Sequence, residues 1–210
     1  MQESGYLAPM PNTIGLILAG GHSSRMHGDD KAFVALAGKS LLVRSIERLA
    51  PQVQGLAISS NRSPESYSAT GLPVIPDRLA GLQGPLAGIH AGLCAYPHDY
   101  LISVAVDLPF LPEDLVHRLH TGMQSFRCVY AGCGTQHALA LLWAPGMAGN
   151  LAKFVQHGNH SLRAWLTGNA GVIFFEPTND SDILFNINTP EDLRAAEHRL
   201  TLATGQKNPG

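Results

Sequence analysis

Short apolar runs alternate along this chain with segments in which apolar residues recur at helical spacing. The run Thr13–Leu18 is followed at once by the small residues Ala19, Gly20 and Gly21, which predicts a buried strand that enters a loop. Over Leu41–Leu49 the apolar residues fall on one helical face. We therefore expect a helix there that packs against a sheet.

The same patterns extend the prediction to the rest of the chain. Further strands are expected at residues 56–59, 74–75, 100–106, 128–131, 139–143 and 172–175. Further helices are expected at residues 86–95, after the helix-opening residues 112–114, and at 147–156, 161–166 and 191–200. Strands alternate with helices in the first half of the chain, which is typical of a parallel sheet. We predict an α/β fold in three layers, a doubly wound, mainly parallel sheet with helices on both faces and ligands at the carboxyl ends of its strands.

Composition bounds the domain organisation. The chain has 210 residues, of which 45% are hydrophobic and 14% are charged, enough for one well-filled core and short for two full domains. No internal repeat or long low-complexity segment divides it. We expect a single domain at residues 13–200, with a flexible N-terminal tail at 1–12 and a flexible C-terminal tail at 201–210.

The charge balance narrows the expected partners. A net charge of -2 gives no overall basic field, so neither nucleic acid nor an anionic membrane is expected, and an anion must be bound locally. The N-terminus lacks a secretion-signal pattern and no run approaches the roughly 20 apolar residues of a membrane span, so a cytoplasmic protein is expected. We expect free thiols at Cys94, Cys128 and Cys133, and a packed or solvated helix face at His117 and His120, in preference to metal ligands.

The segment from Leu18 to Lys31 carries the clearest candidate chemistry. Its small residues, Gly20 and Gly21 among them, let backbone N–H groups approach an anion, while Arg25 and Lys31 supply positive charge. This combination predicts a phosphate-binding loop. The alternative is a flexible, glycine-rich turn whose charges are solvated.

Two common phosphate motifs do not fit the sequence. Residues 38–40 read GKS, like the end of a Walker loop, but the first glycine of that motif would fall at Phe33. The G-x-G-x-x-G fingerprint is also missing, because His22 and Arg25 occupy two of its glycine positions. A P-loop kinase and an NAD-binding protein are therefore disfavoured.

Asp107 is the second candidate, because it directly follows the apolar run at 100–106. A carboxylate at the end of a parallel strand faces the ligand side of such a sheet, and one carboxylate suffices for Mg²⁺ when substrate phosphates complete the shell. The alternative role for Asp107 is a helix cap. Asp77, after the run at 74–75, is either a second ligand-facing carboxylate or a turn residue.

Four motifs in order carry a resemblance to a known family. They are the LAGG loop at residues 18–21 with Arg25-Met26 and Asp30-Lys31 downstream, PLAG at 85–88, VDLP at 106–109, and NINTPEDL at 186–193. Together they closely resemble the molybdenum cofactor guanylyltransferase family, the MobA type, from about residue 13 to 199. The resemblance implies a Rossmann-like nucleotidyltransferase fold.

The resemblance also implies an activity, a cofactor and a set of site residues. The activity is Mg²⁺-dependent transfer of GMP from GTP to molybdenum-bound molybdopterin, with release of pyrophosphate. The catalytic residues implied are Arg25, Lys31 and Asp107, with Asp107 as the metal ligand. Nucleotide and acceptor contacts are implied at Leu18, Ala19, Gly20, Gly21, Lys31, Asp77, Gly84, Gly88, Asp107, Asn186 and Asn188.

Two positions depart from the family pattern. The loop reads His27-Gly28 where the family has Gly-Gly, and Ser59 stands where an asparagine is common. Asn61 lies two residues further on and faces the same side of an extended segment, so Ser59 and Asn61 are both candidate nucleotide contacts.

Other partners and functions remain open on the sequence alone. The resemblance names GTP and molybdenum-bound molybdopterin as ligands, and molybdoenzyme maturation proteins as candidate partners. Alternatives within the same chemistry are a molybdopterin cytidylyltransferase and a sugar-phosphate nucleotidyltransferase. An alternative of another class is a non-catalytic carrier of nucleotide or pterin, although such a carrier could dispense with Lys31 and Asp107.

Overall fold

A seven-stranded sheet forms the centre of the molecule. The computed structural model describes residues 11–20, 30–62, 64–79, 82, 84–133, 136–176 and 185–205. The strands are β1 (Thr13–Leu18), β2 (Ala35–Leu36), β3 (Lys39–Ser40), β4 (Gly55–Ser59), β5 (Val74–Ile75), β6 (Tyr100–Ala105), β7 (Cys128–Cys133), β8 (Gln136–Trp143) and β9 (Gly171–Phe174). The sheet order is β5-β4-β1-β6-β8-β7-β9, while β2 and β3 form a separate hairpin.

Most neighbours in the sheet are parallel. β1 pairs in parallel with both β4 and β6, β4 with β5, and β7 with β9. Among the described strands of this sheet, only β8 is antiparallel to its neighbours, since it pairs antiparallel with β6 and with β7. The carboxyl ends of β1, β4, β5 and β6 therefore meet at one edge, and the amino-terminal end of β8 comes to that same edge.

Six α-helices lie in the described part of the chain. They are α1 (Leu41–Leu49), α2 (Pro85–Ala95), α3 (Leu115–Met123), α4 (Ala148–Gln156), α5 (Leu162–Asn169) and α6 (Pro190–Gly205). Short 3₁₀ helices lie at Lys31–Phe33, Ala50–Gln52 and Pro64–Thr70. None of the helices in the described ranges is both long enough and apolar enough to cross a bilayer.

Adjacent residues of β1 show that helices cover both faces of the sheet. A Cβ added at Gly15 would lie 2.7 Å from Leu49 of α1, so this face of β1 lies against α1. The next residue, Leu16, lies against α2, where a Cβ added at Gly92 would be 2.6 Å from its side chain. Because successive strand residues point to opposite faces, α1 and α2 lie on opposite sides of the sheet. The predicted three-layer α/β fold is therefore confirmed.

Tryptophans fill the core beside β8. Trp143 on β8 is fully buried and donates its indole N–H to Ser103 Oγ at 3.0 Å. Its ring packs 5.7 Å from that of Trp165 on α5, and Phe154 on α4 meets Trp165 edge-on at 5.1 Å. These contacts attach α4 and α5 to the sheet through aromatic burial.

The three cysteines are free thiols, as the sequence predicts. Cys128 and Cys133 are buried, and burial raises the pKa of the Cys128 thiol to about 12.

His120 packs edge-on against Tyr100, and a ring nitrogen of His120 lies 2.9 Å from Thr13 Oγ1. Burial, followed by the charge of His117, lowers the pKa of His120. It therefore belongs to a packed helix face.

The observed bounds of several strands and helices differ from the predicted ones. The strand predicted at 100–106 ends at Ala105, and those predicted at 128–131 and 139–143 extend toward each other, to Cys133 and from Gln136. The helix expected after 112–114 has Asp114 as its N-cap, so the alternative role of Asp107 as this cap is wrong. The hairpin of β2 and β3 was not predicted from the sequence.

Candidate functional site

The ends of β1, β4 and β6 are joined by backbone hydrogen bonds beyond the strands. The Ala19 N–H donates to Ser59 O at 3.0 Å, and the Val106 N–H donates to Leu18 O at 3.2 Å. Leu18 and Ala19 are buried, whereas Gly20 is exposed. The chain after β1 is thus fixed from both sides up to the point where it emerges at the carboxyl edge of the sheet.

Three predicted site residues converge at this edge. The Lys31 ammonium donates to Asp107 Oδ2 at 3.0 Å and to Asn188 Oδ1 at 2.5 Å. Both side chains of the Lys31–Asp107 ion pair are 18% exposed. Such a pair is less screened by solvent than a surface pair, yet it remains accessible to a ligand. The cluster offers a fixed cation, a carboxylate and an amide in one place.

A segment from the far end of the chain completes this cluster. The Ile187 N–H donates to the Asp107 backbone carbonyl at 3.0 Å, which places Asn188 beside the end of β6. Asp192 Oδ2 accepts from the N–H groups of Asn188 and Thr189, each at 2.9 Å, and the Asp192 N–H donates to Thr189 Oγ1 at 3.1 Å. This reciprocal arrangement is a capping box at the start of α6.

The environment of Asp192 favours its ionised form. Partial burial raises the pKa of Asp192, but the hydrogen bonds from Asn188 and Thr189 and the charge of Lys31 outweigh that effect, so the pKa is lowered from its ordinary value. Asp192 therefore stays ionised near neutral pH, where it orients the backbone that carries Asn188.

A pocket of about 280 Å³ opens beside Lys31 and Asp107. Its lining comes from the carboxyl ends of β1 and β6, the start of α2 and one residue of β8, namely Leu18, Ala19, Gly20, Lys31, Gly84, Pro85, Ala105, Val106, Asp107 and Leu139. Six of the predicted contacts, Leu18, Ala19, Gly20, Lys31, Gly84 and Asp107, thus share one pocket. Its position is the ligand-binding edge of an open α/β sheet.

Two glycines shape the start of α2 next to this pocket. Gly84 has φ +78°, a backbone conformation that favours glycine, and it precedes Pro85 at the first turn of α2. Gly88 lies under the end of β4, where an added Cβ would be 2.2 Å from Ser59 Oγ and 3.2 Å from Leu18. A side chain at position 88 would therefore displace Ser59, which is buried here and does not line the pocket.

Asn61 and Asp77 bind each other. Asn61 Nδ2 donates to Asp77 Oδ2 at 2.7 Å, and the Asp77 N–H donates to Asn61 Oδ1 at 2.8 Å. This reciprocal pair joins the segments after β4 and β5. The two residues lie together at the carboxyl edge but do not line the pocket beside Lys31.

Other predicted residues lie apart from the cluster or outside the described ranges. Asn186 is exposed, two residues before Asn188. Gly21 and Arg25 lie outside the residues that the structure describes. Lys39 and Ser40, which resemble a Walker loop in sequence, have other partners, because Ser40 caps α1 and Lys39 pairs with Glu47.

Sequence reasoning missed a polar cluster around the buried Asp30, the residue before Lys31. Asp30 Oδ2 accepts from the Tyr67 hydroxyl at 3.1 Å and from Arg62 Nε at 3.0 Å, and Ser60 Oγ lies 3.0 Å from the Tyr67 oxygen. Burial and the charge of Asp30 raise the pKa of Tyr67, although its contact with Ser60 opposes this. The one sequence signal was the Asp-Lys pair, whose aspartate received no role.

The pocket can supply one carboxylate to a metal ion. No group of three or more His, Cys, Asp or Glu side chains suited to a metal is present in the part of the chain that the structure describes. Mg²⁺ is nevertheless commonly bound by one or two carboxylates together with substrate phosphate oxygens and water. Asp107 therefore fits a cation that arrives with a triphosphate, and does not fit a cation bound by protein side chains alone.

A larger hollow of about 630 Å³ lies at the opposite edge of the sheet. It is bordered by residues before β1, at the start of β6, and in and after α3, among them Pro11, Tyr100, His120 and Phe126. The described residues of its lining include no carboxylate and no glycine-rich turn. By volume alone this hollow would be the candidate ligand site. The Lys31–Asp107 ion pair and the carboxyl ends of the strands instead indicate the pocket beside Lys31 as the candidate ligand site.

Comparisons with known proteins agree with this arrangement. The family model described as the MobA-like NTP transferase domain matches residues 15–172. The chain is 39% identical, over 184 residues, to the molybdenum cofactor guanylyltransferase of Yersinia pestis (strain Pestoides F), covering 87% of this chain and 93% of that protein. This chain is a member of the MobA-like NTP transferase family.

Solved structures support the same family and fold. Molybdopterin-guanine dinucleotide biosynthesis protein A from Archaeoglobus fulgidus superposes with a TM-score of 0.72 at 25% identity, covering 90% of this chain and 99% of that one. CMP:2-keto-3-deoxy-manno-octonic acid synthetase complexed with CTP superposes with a TM-score of 0.70 at 14% identity, covering 91% of this chain and 99% of that one. The second likeness shows the fold alone. This chain thus shares its fold with both solved structures.

Proposed function

We propose that this MobA-like protein transfers GMP from GTP to the terminal phosphate of molybdenum-bound molybdopterin, forming the guanine dinucleotide cofactor and pyrophosphate. The observation that carries the proposal is the convergence of Lys31, Asp107 and Asn188 beside the pocket at the ends of β1 and β6. The choice of guanine and of the pterin acceptor is supported by the name of the Yersinia relative.

The pocket suits a nucleoside triphosphate in shape and charge. Backbone at residues 18–20 and the start of α2 line it, so nucleotide can contact main chain without large side chains intervening. The amino-terminal end of α2 also carries a partial positive charge, which favours an anion. Lys31 adds a full positive charge at the same edge.

The transfer needs positioning and charge neutralisation more than proton transfer. An oxygen of the acceptor phosphate forms a new bond to the α-phosphorus of GTP, and the bond from that phosphorus to the α,β-bridging oxygen breaks. A phosphate oxygen is already ionised near neutral pH, so no general base is required. Lys31 would hold the triphosphate and offset charge that develops on the departing pyrophosphate.

Asp107 would supply the protein ligand for Mg²⁺. When bound, Mg²⁺ neutralises phosphate charge and orients the oxygens for an in-line displacement. The Lys31 ammonium donates to both Asp107 and Asn188, so Asn188 would help Asp107 to orient Lys31. A carrier that only binds nucleotide would not need this paired carboxylate, so the pairing favours catalysis.

The test supplies the protein with Mg²⁺, molybdenum-bound molybdopterin and, in parallel reactions, GTP, CTP or ATP. The dinucleotide and pyrophosphate are identified by mass spectrometry and chromatography. We expect a guanine dinucleotide from GTP alone. A cytosine product would overturn the base assignment while keeping the chemistry. Absence of product with each nucleotide would overturn the acceptor assignment and direct the test to sugar phosphates or to simple binding.

A further inference from the structure

Asp30 has more partners than a helix cap requires. Its Oδ1 accepts from the Ala32 N–H at 3.1 Å and so caps the 3₁₀ turn Lys31–Phe33. Serine, threonine or asparagine could make this bond without carrying a charge. The Asp30 side chain is only 3% exposed, and burial of a carboxylate is costly unless it is paired. Its charge therefore calls for a role besides capping.

The second oxygen of Asp30 binds a segment that is distant in sequence. Arg62 Nε lies 3.0 Å from Oδ2 and the Tyr67 hydroxyl donates to it at 3.1 Å. Ser60 Oγ accepts from the Arg62 backbone N–H at 3.1 Å and also contacts the Tyr67 hydroxyl oxygen. These two contacts hold Ser60, Arg62 and Tyr67 together. Asp30, Ser60, Arg62 and Tyr67 are named here the Asp30 cluster.

Tyr67 holds the turn at both of its ends. Its hydroxyl binds Asp30, and its ring stacks on Phe33 with the centroids 5.4 Å apart and the planes at 30°. Residues three apart lie on the same side of a 3₁₀ turn, which has three residues per turn. Lys31 is therefore turned away from Tyr67, toward Asp107 and Asn188.

The charges of the cluster also direct Lys31. Arg62 pairs with the Asp30 carboxylate, which would otherwise attract the neighbouring ammonium. The contacts of Lys31 Nζ are instead with Asp107 and Asn188 on the pocket side. The contacts that hold the turn and the Asp30–Arg62 ion pair thus both favour the observed position of the Lys31 side chain.

We propose that the Asp30 cluster is a positioning device that fixes the turn carrying Lys31, and thereby sets where the Lys31 ammonium meets the triphosphate. This inference rests on the proposed function for its role in catalysis. Its physical content, that the cluster holds Lys31 in place, does not depend on which nucleotide binds. Asp30, Arg62 and Tyr67 are positioning residues, because they act through Lys31.

The first test measures how accessible Lys31 is in the whole protein without nucleotide. Trace acetylation with acetic anhydride, read by mass spectrometry, gives the labelling of Lys31 relative to Lys153, an exposed lysine on α4. We expect this ratio to rise at least about threefold in Tyr67→Phe and in Asp30→Asn, because local opening of the turn releases the ammonium. Tyr100→Phe removes the same hydroxyl type at the opposite edge of the sheet and should leave the ratio unchanged.

The second test asks whether the cluster acts through Lys31. We expect Tyr67→Phe to weaken GTP binding by about tenfold in the wild-type background and by less than about twofold in a Lys31→Met background. A purely structural role would weaken binding equally in both backgrounds. Equal effects, or an unchanged labelling ratio in folded variants, would overturn the proposal. A wild-type protein without GTP affinity would overturn the proposed function, and the labelling ratio would still decide the role of the cluster.

Discussion

Lys31 has its position set before any ligand arrives. Its ammonium is hydrogen-bonded to Asp107 and Asn188, and the turn that carries it is capped by Asp30. A preorganised cation costs less reorganisation when charge develops than a mobile one does. A bound triphosphate would replace some of the hydrogen bonds of Lys31, and it would not have to order a mobile Lys31 side chain.

Asp107→Asn should remove the metal carboxylate while keeping side-chain size. We expect kcat to fall by roughly 10² or more, comparable to the loss of one preorganised electrostatic group. Asp114→Asn is the matched control, because Asp114 is exposed at the start of α3 and its side chain makes no capping hydrogen bond there. Steady-state kinetics on the folded variants give the comparison. Near-normal turnover in Asp107→Asn would remove this carboxylate from the mechanism.

The sequence was enough to predict site residues that lie in recognisable motifs. It was not enough to predict residues whose role depends on contacts between segments that are distant in sequence. Lys31 and Asp107 stand in recognisable segments after strands, so their convergence could be expected. Tyr67 lies in a polar stretch that reads as a turn, and its burial against Asp30 depends on a fold that brings both together. Ser59 is buried where Gly88 approaches the end of β4, and its predicted contact with nucleotide stays a prediction.

The capping box of α6 is the element that connects helix stability with the site. Asp192 holds the Thr189 N–H and the Asn188 N–H, and the Asn188 side chain reaches Lys31. The start of this helix therefore sets the orientation of one member of the cluster beside the pocket.

Asp192→Ala should destabilise the protein by about 1 kcal/mol near pH 7, as loss of a capping side chain does. The folded pKa of Asp192 is lowered from 3.8, so its contribution is fully present above that value and is lost as pH falls through the folded pKa. The difference between wild type and variant should therefore persist down to about pH 5 and shrink below about pH 4. Urea unfolding at a series of pH values measures it.

Glu191→Ala is the control for that series. Glu191 is exposed at the same helix start and pairs with exposed Arg194, so its loss should change stability by less than about 0.5 kcal/mol. If the Asp192 variant matched this control at every pH, the capping box would have no measurable part in stability.

Strands and helices could be predicted from the sequence where their patterns of apolar residues are long. The strand at Thr13–Leu18 and the helix at Leu41–Leu49 were predicted with the observed bounds, because each buries a continuous run or a full helical face. The β2–β3 hairpin was missed because its strands have only two residues each. Its turn uses positive φ at Ala37 and Gly38, and Ala37 gives no sequence signal for such a turn.

At the scale of the whole molecule, the two hollows at opposite edges of the sheet make different predictions for nucleotide binding. With GTP and Mg²⁺ at about 100 times Kd, we expect amide hydrogen exchange to slow by up to about 100-fold where bound nucleotide stabilises local structure. The slowing should fall at residues 18–20, 84–88 and 105–107. Residues 120–127 at the opposite edge serve as the internal control. Protection confined to those control residues would place the nucleotide in the larger hollow.

The Lys31–Asn188 hydrogen bond joins residues 157 positions apart, and this has a consequence for how the protein is made. During synthesis most of the sheet has left the ribosome before Asn188 is translated. Contacts of such long sequence separation form late, because the entropy of closing the intervening chain must be overcome first. A nascent chain can therefore possess a nearly complete sheet while lacking a finished site, so newly made protein gains competence for catalysis only at the last stage of its folding.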